Sequence, residues 1–446
     1  MREEAPTVLV IGAGIAGIQA ALDLAGAGVR VVLVERREFV GGNMARLDKT
    51  FPTLDCSSCT LTPRTSEVGR HPNVRLLTRA EVTALEPAGA GYRARVRVLP
   101  RYVDPERCVA CGRCAEACRL RGRVPREFDL GLSRGAAIDL PFPQAVPAVY
   151  AVSPERCLFL TRGRCGRDGP RCVAACEVDA VRLDEEPRDE TIEAAAVIVA
   201  TGYDPYRPDD PENGRPELGF GRYPEVITNL QLERLASASG PTAGEIRVGD
   251  RQIRRVAFLQ CVGSRDRTAG AAYCSRVCCM ASVKQALVVR EKIPEAEATI
   301  LYMDLRCFGK GYEEFLERAQ RAGVLVRRGN PSEVYRRDDA LVVRFEDTLL
   351  GEVQELPADL VVLAAGLRPA AGTPALASAL GLDTGPDGFL APADPRDPVL
   401  TARPGVFLAG TCAGPMDVPE AVASGSAAAG AALVHLAAPG GPGTAP

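Results

Sequence analysis

The sequence lacks the marks of a membrane-spanning or nucleic-acid-binding protein. Its 54 basic and 57 acidic residues leave a net charge of −3, and no apolar run reaches the length of about eighteen residues that a spanning helix needs. The first residues, MREEAPTVLVIGAG, contain neither the basic segment nor the small-residue cleavage site of a secretory signal. We therefore expect a cytoplasmic protein that binds neither nucleic acid nor a bilayer directly.

Lysine and histidine are also scarce. Only four of the 54 basic residues are lysines, and the two histidines, His71 and His435, have no neighbouring group of side chains suited to acid–base catalysis. The remaining basic residues are arginines, and many lie between Arg93 and Arg126. They form either a solvated basic face or a docking surface for an acidic electron-transfer partner.

Cysteine, in contrast, is abundant, with sixteen in 446 residues. In a short secreted chain, so many cysteines would indicate stabilising disulfides. This chain is long enough for two or three domains, and its cysteines occur in groups with the spacing of metal ligands. The spacing C-x2-C-x2-C-x3-C places three thiolates around one corner of an iron–sulfur cubane, while the fourth reaches a second cluster. These residues are Cys108, Cys111, Cys114 and Cys118. Zinc is the main alternative metal.

The first thirty-five residues predict a dinucleotide-binding unit. A buried strand, TVLVI, leads into Gly12-Ala-Gly14-Ile-Ala-Gly17, then a helix, then a strand that ends at Glu35. Gly12 permits the tight turn, Gly14 lets the backbone approach a pyrophosphate, and Gly17 allows close packing of helix on strand. The Glu35 carboxylate is expected to bind the ribose hydroxyls of an adenosine.

Later segments resemble the two-dinucleotide flavoproteins that include thioredoxin and glutathione reductases. They are Gly41-Gly42-Asn43-Met44, Ala200-Thr201-Gly202, and Gly405 to Gly410 with the helix-like stretch that follows. The resemblance implies a Rossmann-like α/β fold with FAD in the N-terminal site, and we expect Val82 to be a further contact. The aspartate usual after the last glycine is Thr411 here, and Asp417 follows further along.

Residues 105–184 resemble a two-cluster bacterial ferredoxin inserted as an α+β domain. They contain the first motif and a second group, Cys157, Cys165, Cys172 and Cys176, with wider spacing. In that fold each motif gives three ligands to its own cluster and one to the other. The resemblance implies one [4Fe-4S] cluster on Cys108, Cys111, Cys114 and Cys176, and a second on Cys118, Cys157, Cys165 and Cys172. Arg119 and Glu177 replace the prolines that commonly follow each last cysteine.

The second nucleotide-like domain, expected at residues 216–357, lacks the glycine-rich turn that binds NAD(P)H. After the strand RRVAFLQ the chain reads Gln260-Cys261-Val-Gly263-Ser264. The stretch YCSRVCCMASVKQALVV looks helical, which would put Cys274 and Cys278 one turn apart on a shared face with Cys279 beside them. These four thiols either close on another cluster or are small core residues.

Four parts of the chain resemble the A-type flavoprotein of heterodisulfide reductase. They are LDCSSCTLTPRTSEVGRHPN, PFPQAVPAVY, QCVGSRD with YCSRVCC, and CAGPMDVPEAVASGSAAA. In that family a flavoprotein passes electrons from FAD through iron–sulfur clusters to partner subunits, and some members split electron pairs between two acceptors. The resemblance implies a third cluster on Cys261, Cys274, Cys278 and Cys279. The chain resembles the shorter bacterial members, since it starts at the flavin domain and ends without a further ferredoxin motif.

The same resemblance implies an oxidoreductase, acting on sulfur groups, that needs partner subunits. The implied partners are heterodisulfide reductase B- or C-like subunits and hydrogenase- or dehydrogenase-like electron donors, in an oligomeric complex. Lys284 follows Cys279 on the expected helix and is the candidate catalytic residue, because a cation beside the flavin ring would stabilise its reduced anion. The alternative is a solvated lysine.

The expected FAD-binding domain comprises residues 1–104, 185–215 and 358–436, followed by a disordered tail at 437–446. The leading hypothesis is electron transfer between FAD and partner subunits through about three [4Fe-4S] clusters. The alternatives are a stand-alone NAD(P)H-dependent flavin oxidoreductase and a cluster-bearing scaffold or redox sensor. Cys56 and Cys59 remain open between ligands, redox thiols and packing, and no role follows for Cys307 or Cys412.

Overall fold

The structure is a computed structural model that describes residues 6–167, 169–249 and 252–438. The tail expected at 437–446 lies outside the described residues from residue 439 onward. The described strands are β1 (Thr7–Ile11), β2 (Arg30–Glu35), β3 (Val74–Thr78), β4 (Ala80–Ala88), β5 (Gly91–Val98), β6 (Val124–Pro125), β7 (Arg134–Gly135), β8 (Ile138–Asp139), β9 (Ala151–Val152), β10 (Arg188–Ala194), β11 (Ala196–Val199), β12 (Tyr203–Pro205), β13 (Val226–Thr228), β14 (Arg255–Val262), β15 (Glu297–Tyr302), β16 (Leu325–Arg337), β17 (Ala340–Asp347), β18 (Glu352–Ala358), β19 (Leu360–Ala365), β20 (Leu367–Pro369) and β21 (Val406–Leu408).

The described α-helices are α1 (Ile15–Gly26), α2 (Ser57–Val68), α3 (Arg113–Ala117), α4 (Leu158–Arg162), α5 (Arg171–Ala174), α6 (Asn229–Ala236), α7 (Cys278–Lys292), α8 (Tyr312–Arg321), α9 (Thr373–Leu380) and α10 (Val418–Ala437). Short 3₁₀ helices occur at Gly42–Arg46, Pro216–Leu218 and Gly410–Ala413. Among the described residues, none of these helices has both the length and the apolar character required to cross a bilayer.

Five parallel strands form the first sheet, in the order β21-β11-β1-β2-β3. Side chains on both faces of β1 are buried, because α1 and α10 cover one face and the antiparallel sheet β10-β5-β4 covers the other. Parallel strands buried on two faces require such continuous apolar runs. The predicted Rossmann-like α/β arrangement is confirmed.

Two glycines let α1 pack directly on the backbone of this sheet. A Cβ added at Gly17 would lie 1.9 Å from the carbonyl oxygen of Gly12. Gly12 has φ +103°, and a Cβ there would lie 2.4 Å from the carbonyl oxygen of Ala200. The start of α1, the end of β1 and the end of β11 therefore meet with no side chain between them.

The ferredoxin-like insert interrupts the antiparallel sheet. β5 pairs with β10 so that Val98 stands opposite Arg188, and the chain therefore leaves and re-enters the sheet at neighbouring positions. Inside the insert, the strand pairs β6-β7 and β8-β9 and the helices α3, α4 and α5 surround a small apolar core. A bridge between Val103 and Val181 closes its base.

The second sheet has seven strands in the order β13-β19-β14-β15-β16-β17-β18. β19 lies between β13 and β14 and is parallel to both, so this sheet uses residues beyond the boundary expected at residue 357. An apolar run such as LVVLAA suits a buried strand of either sheet, and only its pairing decides where it belongs. β12 and β20 pair antiparallel. They connect the first unit, which is built on the five-stranded sheet, to the second unit, which is built on the seven-stranded sheet.

A buried ion pair holds the insert against the second unit. Nε of Arg234, in α6, lies 3.0 Å from Oδ1 of Asp129 in the insert, and the two side chains are 1% and 6% exposed. The Arg234 guanidinium also lies over the ring of Phe128, and Phe128 packs edge-to-face with Phe39, which follows β2. The insert is thus fixed both to the unit of the first sheet and to the unit of the second sheet.

The variant Gly17→Ala is expected to destabilise the fold, because its methyl group would overlap the Gly12 carbonyl. Overpacking costs about 1–3 kcal/mol when side chains can shift, and here backbone must move. The measurement is the midpoint of thermal unfolding. Gly26→Ala, in the last turn of the same helix and with open space around the added Cβ, is the matched control and should be neutral or slightly stabilising. Equal midpoints for the two variants would contradict the packing argument.

Candidate functional site

A large cavity opens where the first sheet meets the second unit. Its empty volume, including space open to solvent, is about 1480 Å³. Ten predicted cofactor contacts line it: Gly12, Gly14, Glu35, Gly42, Asn43, Ala200, Thr201, Gly202, Gly410 and Asp417. They lie at or after the carboxyl ends of β1, β2, β11 and β21, with Asp417 at the start of α10. Parallel strands bring such ends to one edge of a sheet, where ligands of this fold class bind.

Two predicted contacts lie elsewhere. Gly17 is inside the contact between α1 and β1, where its role is packing. Val82 points into the core beside Val34 and Leu77 and is 8% exposed. Its side chain is not among those described as lining the cavity, because the alternation of β4 turns it toward the first sheet.

Glu35 ends β2 with its carboxylate buried at the cavity wall. One carboxylate oxygen accepts the Ala13 N–H at 2.8 Å, and the other accepts the Arg37 N–H at 2.9 Å. Burial raises the pKa of this carboxyl, and the two backbone donors oppose that rise. Each oxygen keeps a second lone pair, so Glu35 can still accept a hydrogen bond from a ligand hydroxyl.

The N-terminus of α1 faces the cavity without a capping side chain. Gly14 is the N-cap, and a Cβ added there would meet nothing within 4 Å. The free backbone N–H groups and the helix dipole favour an anion at this place. In the same cavity the buried Oγ1 of Thr201 has no hydrogen-bond partner among the described residues. These groups fit a bound dinucleotide.

Lys284 lines the cavity but is neither a solvated lysine nor an uncompensated cation. Its Nζ lies 2.5 Å from Oε1 of Glu233, with both side chains 3% exposed, and it donates to the Lys49 carbonyl at 2.7 Å. Glu233 also accepts hydrogen bonds from Gln285 Nε2 and the Asp48 N–H. The charge of Lys284 is therefore balanced inside the protein. Sequence reasoning missed Glu233, because it lies in a helix of mixed polar and apolar residues, NLQLERLA, that gives no local sign of the pairing.

Asp417 lines the cavity as the N-cap of α10, and its carboxylate is already engaged. Oδ1 accepts the Glu420 N–H, and Oδ2 accepts the hydroxyl of Tyr312. Thr411, which stands where an aspartate is usual, lines the same cavity. Tyr312 belongs to the second unit, so no local sequence signal pointed to this contact.

In the insert, one set of cysteines surrounds a cavity of its own. Cys118, Cys157, Cys165 and Cys172 line a space of about 410 Å³, and they are the set that the ferredoxin resemblance implied for the second cluster. Burial raises the pKa of Cys172 to about 11, and the neighbouring Cys157 and Cys118 thiols add to that rise.

The other set of the insert gathers around α3. Burial raises the pKa of Cys114 to about 12, and the nearby Cys108 thiol adds to it. An ion pair joins Arg113 to Glu177, the neighbours in sequence of Cys114 and Cys176. The place of Cys176 in this set stays a prediction.

The third set meets at the start of α7. That helix begins at Cys278, so the prediction that Cys274 and Cys278 share a helix face is wrong. Arg276 stands between them with φ +62°, a left-handed conformation that an α-helix does not allow. Burial raises the pKa of Cys261 to about 11, and the Cys279 and Cys274 thiols add to the rise. The four thiols are thus close in space.

Cys307 is a fifth thiol at this place, and sequence reasoning gave it no role. Burial raises its pKa to about 12, and the adjacent Cys279 thiol contributes. It comes from the loop after β15, so its spacing in the sequence carried no signal. Cys412 differs, since its thiol is buried and donates to the carbonyls of Val199 and Ala409, which is a packing role.

No three histidine, cysteine, aspartate or glutamate side chains converge, anywhere in the described ranges, as tightly as one metal ion requires. Zinc bound to sulfur at about 2.3 Å brings its thiolates within about 4 Å of each other. The thiolates of a cubane bind different irons and stand farther apart. Four thiolates are a donor set that either zinc or a [4Fe-4S] cluster accepts.

Three family models match parts of this chain. Pyridine nucleotide-disulphide oxidoreductase matches residues 170–425, FAD dependent oxidoreductase matches residues 7–51, and 4Fe-4S binding domain matches residues 101–119. The first covers more than half of the chain. The other two agree with the predictions of FAD in the N-terminal unit and of iron–sulfur clusters in the insert.

Curated relatives confirm the resemblance seen in the sequence. The A-type component of the H(2):CoB-CoM heterodisulfide,ferredoxin reductase of Methanothermobacter marburgensis is 46% identical over 433 residues. The second A-type iron-sulfur component of the CoB--CoM heterodisulfide reductase of Methanopyrus kandleri is 48% identical over 436 residues. Both matches cover 96% of this chain, but only 63% and 64% of those proteins. The chain thus spans less than two thirds of their length.

Solved structures confirm the predicted fold class. Thioredoxin reductases from T. acidophilum and Lactococcus lactis each match with a TM-score of 0.51, covering 96% of this chain and 98% of theirs. They are 15% and 17% identical to this chain, so the likeness concerns the fold alone.

The variant Lys284→Met is expected to be strongly destabilised, because it leaves Glu233 buried without its counter-charge. Breaking a buried pair in this way costs about 3–5 kcal/mol. The double variant Glu233→Gln with Lys284→Met should regain much of that loss, since no unpaired charge remains. Unfolding midpoints of both single variants and the double variant test this, and additive losses would contradict direct pairing.

Proposed function

Because this chain belongs to the pyridine nucleotide-disulphide oxidoreductase family, we propose that it is the FAD- and iron–sulfur-containing electron-transfer subunit of a heterodisulfide-reductase-like complex. One observation carries the proposal: the third thiol set borders the large cavity. Val277, next to Cys278, lines that cavity. Burial raises the pKa of the cavity-lining Tyr203 to about 12, and the Cys278 thiol adds to it.

The residues present fit FAD. We assign the pyrophosphate to the N-terminus of α1 and the adenosine ribose to Glu35, on the evidence of their free donors and acceptors. When bound, FAD would exchange electrons in pairs and the clusters would exchange them singly. The protein would hold FAD and the clusters close together and keep water away from the flavin. The apolar side chains of Phe51, Met416 and Val418, which line the cavity, support the exclusion of water.

The cysteines fit three [4Fe-4S] clusters. Two four-thiol sets lie in the insert and the third lies at the start of α7. We assign reduction of a disulfide substrate to partner subunits of the complex, because no cysteine of the described chain lines the cavity assigned to FAD. This chain then moves electrons between its flavin and those partners.

The alternative of a stand-alone NAD(P)H oxidoreductase finds little support. The end of β14 and the turn after it, where a second dinucleotide would bind, read Cys261-Val-Gly263-Ser264 instead of a glycine-rich loop. A Cβ at the following Gly263 would lie 2.2 Å from the ring of Tyr206, so this turn is packed against protein instead of being open to a pyrophosphate.

We also propose where one partner docks. Arg119 and Arg171 line the cavity of the second cysteine set. These two and four arginines close to this set in the sequence are exposed and make no ion pair with any carboxylate of the described chain: Arg121, Arg162, Arg164 and Arg167. Next to Cys108 and Cys114 of the first set in the sequence, Arg107 and Arg113 instead form ion pairs with Asp179 and Glu177. This difference favours docking of an acidic electron carrier above the second cysteine set. The sequence had left a docking surface open for the arginines between Arg93 and Arg126, and of those only Arg119 and Arg121 belong to the group proposed here.

Anaerobically purified protein is expected to contain one FAD and about twelve irons with matching sulfide, from three four-iron clusters. Cys165→Ser and Cys261→Ser should each remove about four irons. Cys412→Ser is the matched control and should keep the full content, because a hydroxyl can make the same hydrogen bonds. About eight irons in the unmodified protein would confine the clusters to the insert, and zinc without sulfide would refute the proposed function.

The double variant Arg162→Glu with Arg164→Glu is expected to slow electron exchange with a small acidic two-cluster ferredoxin about tenfold or more at low salt, because steering is lost. The difference should shrink at high salt, and the rate with methyl viologen should not change. Arg95→Glu with Arg318→Glu, two exposed arginines that lie outside the insert, is the control. Equal slowing in both double variants would refute the docking site while leaving electron transfer itself intact.

A further inference from the structure

Cys56 and Cys59 stand apart from the three thiol sets. Their Sγ atoms are bonded to each other, whereas the other fourteen cysteines of the described chain are free. Both residues are exposed, and neither lines the large cavity or the cavity of the insert. A bonded, exposed pair is neither a cluster ligand nor core packing, so redox chemistry is the remaining one of the three roles considered from the sequence.

The pair occupies the first turn of α2. Cys56 is the N-cap residue, and its Sγ accepts the Cys59 N–H at 3.2 Å. The N-terminus of a helix stabilises a thiolate, which is both the attacking and the leaving form in thiol exchange. Solvent access lets an external thiol reach the sulfur atoms, and exposed disulfides are the ones that exchange readily.

The first turns of α2 rest on the wall of the large cavity. Ser57 Oγ donates to the Met44 carbonyl at 2.9 Å. Leu61 is 4% exposed and packs against Gly41, where a Cβ would lie 3.0 Å from Leu61 Cδ2. Gly41 and Met44 both line the cavity. A movement of the N-terminus of α2 would therefore act on the cavity wall through the contacts of Ser57 and Leu61.

A short hairpin gives a second connection. Lys49 forms a bridge with Cys56, and the Thr50 N–H donates to the Asp55 carbonyl at 2.9 Å. On the cavity side, Lys49, Thr50 and Phe51 form part of the lining, and the Lys49 carbonyl accepts the hydrogen bond from Lys284. The Cys56–Cys59 disulfide lies at the end of this hairpin, where Cys56 pairs with Lys49.

We propose that Cys56 and Cys59 form a surface redox pair that exchanges two electrons with dithiols and transmits its state to the cavity. A thiolate of the incoming dithiol attacks one sulfur, which makes a mixed disulfide and releases the other cysteine. The second thiol of the partner then displaces the first cysteine. The partner leaves as a disulfide, Cys56 and Cys59 become thiols, and two electrons and two protons have passed. This exchange requires neither bound FAD nor clusters, so it stands independently of the proposed function.

The exchange is tested on the full chain, purified anaerobically without added thiol. The native protein is treated with dithiothreitol, quenched with iodoacetamide and digested. The peptide containing Cys56 and Cys59 should carry no alkyl group before treatment and two after it, and oxidised glutathione should reverse the change. Cys59→Ser should form a mixed disulfide with Ellman's reagent through Cys56. The proposed redox pair would be refuted if the peptide carried two alkyl groups before treatment or none after it. Loss of iron in the Cys56→Ser, Cys59→Ser double variant would also refute it, because the two cysteines would then act as cluster ligands.

Transmission to the cavity is measured by hydrogen–deuterium exchange on the disulfide and dithiol forms. Backbone amides of residues 41–51 should exchange about threefold faster or more after reduction, the size expected for loss of roughly one hydrogen bond. Residues 340–358, in β17 and β18 of the second sheet, are the internal control and should not change. The double variant should exchange like the dithiol form. Identical exchange at residues 41–51 in both forms would overturn the transmission while leaving the exchange chemistry standing.

Discussion

The parallel pairing of β21, β11, β1 and β2 is the constraint on which the rest of this structure depends. Because parallel strands in register end together, the turn after β1, Glu35, the residues after β11 and Gly410 meet at one edge although they span most of the chain. Gly12 and Gly17 then remove every side chain between α1 and that edge. A slip of one residue in the pairing of Val10 with Ile198 would separate Gly12 from Ala200 and turn core side chains to the opposite face.

The redox groups are positioned by elements that are themselves fixed by paired charges. The insert grows from two paired strands and is held against the second unit by the buried Arg234–Asp129 pair. The cavity wall contains the buried Lys284–Glu233 pair. An unpaired charge at either place would be costly in a low-dielectric interior. At the surface, the exposed arginines proposed to surround the second cysteine set have no carboxylate partner in the described chain, so a charged partner can reach them.

The outcome for the cysteines shows how far local spacing can predict a site. The set Cys118, Cys157, Cys165 and Cys172 came from resemblance to a ferredoxin, and these residues do line one cavity, because the pseudo-symmetric fold dictates which thiols face each other. The prediction that Cys274 and Cys278 share a helix face was wrong. The left-handed residue Arg276 lies between them, so the helix does not include Cys274. Cys307 was missed altogether because it comes from another loop. The side chain of Val82 points into the core because strand alternation sets its direction, and its contact with the cofactor stays a prediction.

By itself, the sequence determined the dinucleotide-binding unit, the ferredoxin-like insert, the absence of a second glycine-rich turn and the family resemblance. Each of these is written in residues close together in the chain, whose conformations depend on their neighbours. Only the tertiary structure decided that β19 joins the second sheet, that Glu233 balances Lys284, that Tyr312 holds Asp417, and that the Cys56–Cys59 segment touches the cavity wall. These contacts join residues from different elements, and the packing of whole sheets and helices, rather than any local preference, determines which of them meet.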